Sequence, residues 1–195
     1  QNDDLLLIKK LLAQLGKTPF YKKEKPTPYD EAVSLIWYLE NVFYESISKI
    51  YNYIQNNIYD GNPMDNEIID LGFWPGGDRD GNPFVTTKIT LDVAERLRQS
   101  ILRSYYRDVR RLKRRFTFDG VQEILSKIEK RLYKHVVRSY SKVNFSQDIF
   151  LEELAKARKI IAEKHQSLFI EELDDFINKV RIFGFHFATL DIRQD

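Results

Sequence analysis

The chain has 195 residues, of which 43% are hydrophobic and 31% are charged, and its 31 basic and 29 acidic residues leave a net charge of +2. This composition is typical of a globular protein rather than of a disordered one. The lack of cysteine excludes disulfides, thiol nucleophiles and cysteine-based metal centres. The near balance of charge favours no class of partner, and no apolar run in the sequence approaches the length of a membrane span.

Apolar residues at helical spacing predict a mainly α-helical chain. We expect helices at about residues 4–15, 28–57, 86–116, 121–140 and 146–182, the last with a bend near residues 166–168. Two short apolar runs bounded by turn residues predict strands at about 67–74 and 185–192. The long third helix carries a regular apolar stripe, which consists of Ala94, Leu97, Ile101, Tyr105, Val109, Leu112 and Phe116.

Two strands so far apart in the sequence do not make a stable sheet by themselves. We therefore expect them to belong to a larger sheet or barrel whose other strands lie outside this sequence. The chain opens on Gln1 and ends directly after the second predicted strand, so we expect residues 1–195 to be a single internal piece of a longer polypeptide. Its polar, acidic start differs from a secretory signal, and we expect an intracellular location.

The loop after the first predicted strand is the strongest candidate site. Its glycines allow the backbone to approach a ligand closely, and functional groups collect after the carboxyl ends of strands in α/β proteins. The alternative is a tight turn whose Asp and Asn side chains bond their own backbone, and the sequence leaves both open. The candidate residues are Gly76, Gly77, Asp78, Arg79, Asp80, Gly81 and Asn82.

Known ligand motifs do not account for this loop. Asp78, Asp80 and Asn82 are spaced like the start of a calcium-binding helix–loop–helix. That motif then needs glycine and glutamate, at positions that hold Pro83 and Ile89 here. The sequence has no Gly-Lys-Ser or Gly-Lys-Thr tripeptide for a nucleotide phosphate and no His-Glu-x-x-His motif for zinc, and its three histidines are widely spaced.

Arg193 is the second candidate because it follows the apolar run of the second predicted strand. A guanidinium fork in that position suits a phosphate or a carboxylate. The alternative is a structural ion pair with Asp191 or Asp195.

The third candidate is the basic stretch from Arg96 to Arg115, which is able to bind nucleic acid or an anionic metabolite. The alternatives are a solvated face, or one paired with the acidic helix at residues 152–175, and the nearly neutral chain favours these. The arginines that share one helical face are Arg96, Arg103, Arg107, Arg110 and Arg114.

Two segments resemble the phosphoenolpyruvate carboxylase family. Residues 74–83 read Trp-Pro-Gly-Gly-Asp-Arg-Asp-Gly-Asn-Pro, and residues 190–195 read Leu-Asp-Ile-Arg-Gln-Asp. Both are similar to segments of that family in the same order, although Asp195 replaces the family's glutamate. Residues 26–32, at the start of the second helix, are also similar.

The resemblance implies a cytoplasmic, mainly helical lyase with a (β/α)8-type barrel, usually a homotetramer. Such an enzyme combines phosphoenolpyruvate with bicarbonate, using Mg²⁺ or Mn²⁺, and gives oxaloacetate and phosphate. This reaction fixes carbon dioxide and replenishes the tricarboxylic acid cycle. By resemblance, the two predicted strands would belong to the barrel, Arg193 would bind the substrate phosphate, and the loop at 76–82 would lie at the same face. The resemblance leaves the role of Arg79 open.

The family's essential histidines, its Gly-Arg-Gly-Gly loop and its metal carboxylates are expected outside residues 1–195. We therefore expect no complete catalytic set and no metal ligands within this chain, and no carboxylase activity from the chain alone. No nucleic-acid or membrane partner is expected. The alternative is a non-catalytic helical module that binds nucleic acid or an acidic partner through the Arg96–Arg115 face. A third possibility makes that face an allosteric sugar-phosphate site of the enzyme.

Overall fold

A computed structural model describes residues 2–19, 25–61, 68–80, 82–137 and 145–193. The described chain is mainly helical, as expected, with two short strands. None of the helices in these ranges is both long and apolar enough to cross a bilayer. The elements are α1 (Asn2–Lys17), α2 (Pro28–Tyr38), α3 (Tyr44–Ile58), β1 (Gly72–Phe73), α4 (Thr87–Arg115), α5 (Val121–Val137), α6 (Gln147–Lys164), α7 (Ile170–Phe183) and β2 (Thr189–Leu190).

Helix α4 is the centre of the packing, in contact with α2, α5 and α7. The side chain of Thr86 caps its first turn by accepting a hydrogen bond from the amide of Ile89, and basic residues in its last turn complement the helix dipole. The apolar stripe is buried as expected from Leu97 onward, but it starts at Val93, because Ala94 points to solvent. Burial of this apolar stripe against α2, α5 and α7 removes it from water and stabilises the packing of the four helices.

The ring of Tyr105 lies in an aromatic centre between α4, α6 and the end of α7. Its centroid is 5.8 Å from the rings of Phe150 and Phe176. Its hydroxyl donates a hydrogen bond of 2.7 Å to the carbonyl oxygen of Gly184, the residue that ends α7. Burial and the nearby Asp108 carboxylate raise the pKa of Tyr105 well above its usual value, so the hydroxyl stays a donor.

The ammonium of Lys179 on α7 is fully buried and joins three helices. Its Nζ lies 3.0 Å from both carboxylate oxygens of Glu45 on α3, 3.4 Å from Asp108 on α4 and 3.3 Å from Asp175 on its own helix. Burial lowers the pKa of Lys179, but these carboxylates outweigh burial and raise the pKa above its ordinary value. The lysine therefore remains charged and holds the carboxylates together.

Two of the expected helices are divided. The one expected at 28–57 contains a π-helical turn, Leu39–Phe43, between α2 and α3. The one expected at 146–182 is two helices, because Gln166, Ser167 and Phe169 have φ angles of 52°, 56° and 58°. Non-glycine residues in the left-handed region cannot continue a right-handed helix, so the chain turns there and α7 packs on α6.

The other helices are close to their expected bounds. Helix α1 begins and ends two residues beyond the expected 4–15, and its leucines are more than half exposed. Helix α4 lies within the expected 86–116. Helix α5 follows the expected 121–140 as far as Val137, and residues 138–140 lie outside the described residues.

Both strands are much shorter than expected. Only Gly72 and Phe73 of the expected 67–74 are paired, and residue 67 lies outside the described residues. In the expected 185–192 the chain is turned until Phe187, whose φ is 68°, and only Thr189 and Leu190 form the strand. Phe187 is only 1% exposed, within the helical core. Its apolar side chain fills the core rather than a sheet, and the expected larger barrel stays a prediction.

Replacement of Lys179 by methionine tests the buried ion cluster. The change leaves the carboxylates of Glu45, Asp108 and Asp175 without their shared cation, so we expect a loss of about 3 kcal/mol in the free energy of unfolding. The matched control is Lys159→Met. Lys159 is 73% exposed, and its Nζ lies 3.8 Å from Oε1 of Glu163, so the two form a weak surface ion pair. The control is expected to cost less than about 1 kcal/mol. Urea unfolding measures both, and equal losses would contradict the assignment.

The buried ring of His135 predicts a loss of stability in acid. The ring is 3% exposed and stacks on Phe145 at 5.5 Å, and burial, together with the charge of Arg98, lowers the pKa of His135 below its ordinary 6.5. The unfolded state therefore binds the proton more tightly, and stability that is present above pH 6.5 is lost as the pH falls through the folded pKa.

The measurement is the urea midpoint at about pH 7.5 and about pH 5, which lie on either side of an ordinary histidine pKa. We expect His135→Phe to lose part of the acid sensitivity of the natural chain. His186→Gln, at an exposed histidine, should keep all of it. An unchanged pH dependence in His135→Phe would show that other groups cause it.

Candidate functional site

The two strands form a parallel pair, although they come from opposite halves of the chain. Gly72 is paired with Thr189 and Phe73 with Leu190. The amide of Thr189 donates to the carbonyl of Leu71 at 2.7 Å, and the amide of Asp191 donates to the carbonyl of Phe73 at 2.9 Å. Because the strands run in the same direction, the segments that follow them leave at the same edge.

This edge brings the glycine loop and Arg193 close together, at the same face as the family resemblance implies. The amide of Arg193 donates to the carbonyl of Gly77 at 3.2 Å, and the amide of Arg79 donates to the carbonyl of Arg193 at 3.0 Å. These bonds form a β-bridge between Asp78 and Arg193. The main chain of Arg193 is therefore fixed to the loop.

The loop glycines are needed for close contact with the rest of the protein. A Cβ on Gly77 would lie 2.1 Å from the carbonyl oxygen of Asp191. Gly76 has a φ of +82°, and a Cβ there would lie 2.6 Å from Val93 of α4. Real Cβ atoms do not approach other atoms so closely, so only glycine lets the loop pass between β2 and α4.

The polar side chains of the loop mostly bond the loop itself. Asp78 accepts a hydrogen bond from the amide of Asp80 at 3.1 Å, and Asn82 accepts one from the amide of Phe84 at 3.1 Å. Arg79 donates to the hydroxyl of Thr87, at the start of α4, at 2.7 Å. This geometry matches the tight-turn alternative for these side chains. Gly81 lies outside the described residues, and the role of the loop in binding stays a prediction.

The Arg193 side chain is largely exposed and forms one loose ion pair within the described residues. Its Nη2 lies 3.7 Å from Asp191 Oδ2, and the two side chains are 67% and 57% exposed. An ion pair this open is worth about 0–1 kcal/mol, too little to hold the guanidinium away from a phosphate. Asp195, the other expected partner, lies outside the described residues. A fixed main chain with an open guanidinium is an arrangement that suits oxyanion binding.

Five of the nine basic residues between Arg96 and Arg115 have a carboxylate within 4.0 Å. Glu129 of α5 pairs with Lys113 and with Arg110, whose Nε is 3.6 Å away. Arg111 pairs with Asp108 at 3.2 Å. Only Arg115 reaches the acidic region at 152–175, through Glu172 at 3.2 Å. The expected pairing is therefore present, but the main acidic partner is α5 rather than the later helix.

The described part of the chain has no group of three His, Asp or Glu side chains that converge as a metal site requires. Two of the three histidines are packing residues. His135 stacks on Phe145, and the ring of His165 stacks on Phe118 with centroids 4.9 Å apart. The side chains in the described ranges therefore do not form a ligand set that fits a divalent cation.

Sequence reasoning missed the cluster around Lys179, although one signal points to it. Lys179 lies between Phe176 and Phe183 at helical spacing, in register with the buried face of α7. A lysine in an apolar stripe must find acidic partners or lose its charge, because a bare charge cannot be buried. Asp175 lies four residues earlier on the same helix, but Glu45 and Asp108 come from distant parts of the chain, so only the structure identifies the complete cluster.

The described chain is therefore a mainly helical protein with one short parallel strand pair, and the guanidinium of Arg193 lies at the carboxyl end of that pair. A family model described as phosphoenolpyruvate carboxylase matches residues 2–144 and 115–195. The chain belongs to the phosphoenolpyruvate carboxylase family, which confirms the resemblance seen in the sequence.

The relatives named phosphoenolpyruvate carboxylase match almost the whole chain. The Shewanella halifaxensis protein is 25% identical and the Shewanella loihica protein 26% identical, each over 97% of this chain. The Vibrio vulnificus protein is 26% identical over 96% of this chain. In each case the match covers 25% of the relative, so the chain spans about a quarter of the length of these relatives.

Replacement of Gly77 by alanine tests the close contact at the strand edge. The new Cβ would collide with the Asp191 carbonyl, which is main chain and cannot rotate away, so we expect a loss of about 2 kcal/mol in stability. The matched control is Gly72→Ala, where a Cβ meets no atom within 4 Å. Hydrogen exchange at the amides of Asp191 and Arg193 reports the local effect. Unchanged exchange in Gly77→Ala would contradict the assigned contact.

Proposed function

We propose that this chain is the part of a phosphoenolpyruvate carboxylase that delivers the arginine for the substrate phosphate. One observation carries the proposal. The main chain of Arg193 is fixed to the glycine loop by two hydrogen bonds, of 3.2 and 3.0 Å, while its side chain is 67% exposed at the carboxyl edge of the strands. Membership of the family supports the reading of that open guanidinium as a phosphate ligand.

The proposed reaction joins phosphoenolpyruvate and bicarbonate to give oxaloacetate and inorganic phosphate. By resemblance, a bicarbonate oxygen bonds to phosphorus while the bond between phosphorus and the enol oxygen breaks, which gives carboxyphosphate and the enolate of pyruvate. The bond between the carboxyl carbon and the phosphate oxygen of carboxyphosphate then breaks, inorganic phosphate leaves with the bicarbonate proton, and the released carbon dioxide bonds to the enolate carbon. In these reaction steps, Arg193 donates hydrogen bonds to the phosphoryl oxygens, orients the phosphorus and stabilises negative charge on those oxygens.

We propose a supporting role for the glycine loop. Gly76 and Gly77 allow it to lie against α4 and β2, and Arg79 ties it to the first turn of α4. Asp78 and Asn82 stabilise its turns through their own backbone. A loop held in this way limits the movement of the Arg193 main chain, and a positioned guanidinium binds phosphate with a smaller entropic cost.

The remaining features of the enzyme are proposals about the longer polypeptide. They are the (β/α)8-type barrel that β1 and β2 would join, the Mg²⁺ or Mn²⁺ held by residues outside this chain, the homotetramer and the cytoplasmic location. The rival module that binds nucleic acid or an acidic partner has less support, because much of the Arg96–Arg115 face is engaged in ion pairs.

Replacement of Arg193 by alanine, in the full-length polypeptide that contains this chain, tests the proposal. The assay is bicarbonate-dependent release of phosphate from phosphoenolpyruvate in the presence of Mg²⁺. Loss of a charged group that stabilises the transferring phosphoryl should lower kcat/KM by about a hundredfold or more. The matched control is Arg181→Ala, at an exposed arginine on α7, which should keep nearly full activity.

Activity in Arg193→Ala close to that of the natural enzyme would make the Asp191–Arg193 pair structural and leave the family assignment intact. No bicarbonate-dependent turnover in the natural full-length polypeptide would contradict the proposed activity itself. We also expect no turnover from residues 1–195 alone, and any detectable turnover would show that the catalytic set is complete within this chain.

A further inference from the structure

The hydroxyl of Thr90, in the first turns of α4, bonds the glycine loop in preference to its own helix. Its Oγ1 lies 2.7 Å from the carbonyl oxygen of Gly76 and 3.2 Å from the carbonyl oxygen of Thr86. The contact with Thr86, four residues earlier, is the one that threonine forms within a helix when no other acceptor is near. A hydroxyl has a single proton to donate, and the shorter distance assigns it to Gly76.

The carbonyl of Gly76 depends on this hydroxyl. Gly76 is buried, and no other donor in the described ranges bonds its carbonyl oxygen. Its φ of +82° and its contact with Val93 require glycine, so this position has no side chain of its own with which to hold the loop. A buried carbonyl that loses its donor is costly to the protein. A side chain of α4 therefore fixes the loop at this peptide unit.

This bond lies one residue from the bond that fixes Arg193. The amide of Gly77 donates to the carbonyl of Trp74 at 3.1 Å, and the carbonyl of Gly77 accepts from the amide of Arg193 at 3.2 Å. Successive peptide units are planar and share a single Cα atom, so a shift of the Gly76 carbonyl also displaces the Gly77 carbonyl. The position of the Arg193 main chain thus depends on where Thr90 holds the loop.

A second threonine of α4 holds the other side of the loop. Arg79 donates to the hydroxyl of Thr87 at 2.7 Å, and the amide of Arg79 donates to the carbonyl of Arg193 at 3.0 Å. Thr87 and Thr90 are three residues apart, so they lie on one face of the helix. The Thr87 bond is exposed, whereas the Thr90 bond is partly buried and so better shielded from water. The Thr90 bond is therefore the stronger constraint.

We propose that Thr90 is a positioning residue for Arg193. Its hydroxyl fixes the Gly76 carbonyl on α4, and the loop in turn fixes the main chain from which the Arg193 guanidinium extends. The proposal rests on the proposed binding of the substrate phosphate by Arg193, and it adds a residue that does not touch the substrate. A guanidinium fork pairs with a phosphate through two parallel hydrogen bonds, so a small displacement of its main chain weakens both.

Replacement of Thr90 by valine, in the full-length polypeptide, tests the proposal, because valine has nearly the same shape but no hydroxyl. We expect the KM for phosphoenolpyruvate to rise and kcat/KM for it to fall about tenfold, with the KM for bicarbonate unchanged. Thr90→Ser keeps a hydroxyl and should restore kcat/KM to within about twofold of the natural enzyme. A purely structural defect reduces the amount of active enzyme, which lowers the apparent kcat without raising KM.

A double-mutant cycle separates a failure of this proposal from a failure of the proposed function. When Thr90→Val is added to Arg193→Ala, the further loss in kcat/KM should be less than about twofold, because the group that Thr90 positions is already absent. A further tenfold loss, or an unchanged KM in Thr90→Val alone, would overturn the proposal. The single variant Arg193→Ala still reports on the phosphate role of Arg193 in both cases.

Hydrogen exchange tests the same contact without reference to activity. The amide of Arg193 should exchange about tenfold faster in Thr90→Val, while the amides of α5 keep their rates. The matched control is Thr117→Val, at an exposed threonine beyond the other end of α4, which should change neither the exchange nor the kinetics. Unchanged exchange of the Arg193 amide in Thr90→Val would overturn the proposal whether or not the polypeptide is a carboxylase.

Discussion

The fold depends on one buried ammonium, because Lys179 is the only cation that the structure places inside the shared boundary of α3, α4 and α7. Its desolvation is expensive and is offset only if all of its carboxylate partners stay in place. Tyr44 adds a hydrogen bond of 2.8 Å to Asp108, and Ser48 adds one of 2.6 Å to Asp175. A displacement of any of the three helices would remove at least one carboxylate contact from the buried ammonium, so the cluster favours one arrangement of the helices.

The strand edge takes its geometry from this helical core. Two residues in each strand give a ladder too short to be stable alone. The end of α7 is fixed by the hydroxyl of Tyr105, which bonds the carbonyl of Gly184, and Phe187 is buried in the core a few residues later. Those contacts bring the chain to β2 in a defined position. Gly77 packs closely against the Asp191 carbonyl, and this contact fixes the main chain immediately before Arg193 relative to the loop.

Sequence patterns predicted the features that depend on neighbouring residues. The stripe from Leu97 to Phe116 repeats every three or four residues, so α4 was predictable nearly to its ends. The loop and Arg193 were both predicted as candidates, since each follows an apolar run. The length of the second strand was not predictable. An apolar residue such as Phe187 fits a strand as well as a helical core, and its sequence context does not show which of the two it joins. The sequence indicated a bend near residues 166–168, but not the complete division into α6 and α7, which depends on left-handed residues that are not glycine.

The charges of α4 show why a basic stretch in a sequence does not define a binding face. Helical spacing places Arg96, Arg103 and Arg110 on one side, but it contains no information on the acidic side chains of other elements. Glu129 of α5 neutralises Arg110, whereas no carboxylate approaches Arg96 or Arg103 in the described part of the chain. Most of the described ion pairs of the basic stretch thus lie toward its carboxyl end. Helical spacing therefore predicts which basic residues share a face, whereas the carboxylates of neighbouring helices decide which of them are paired.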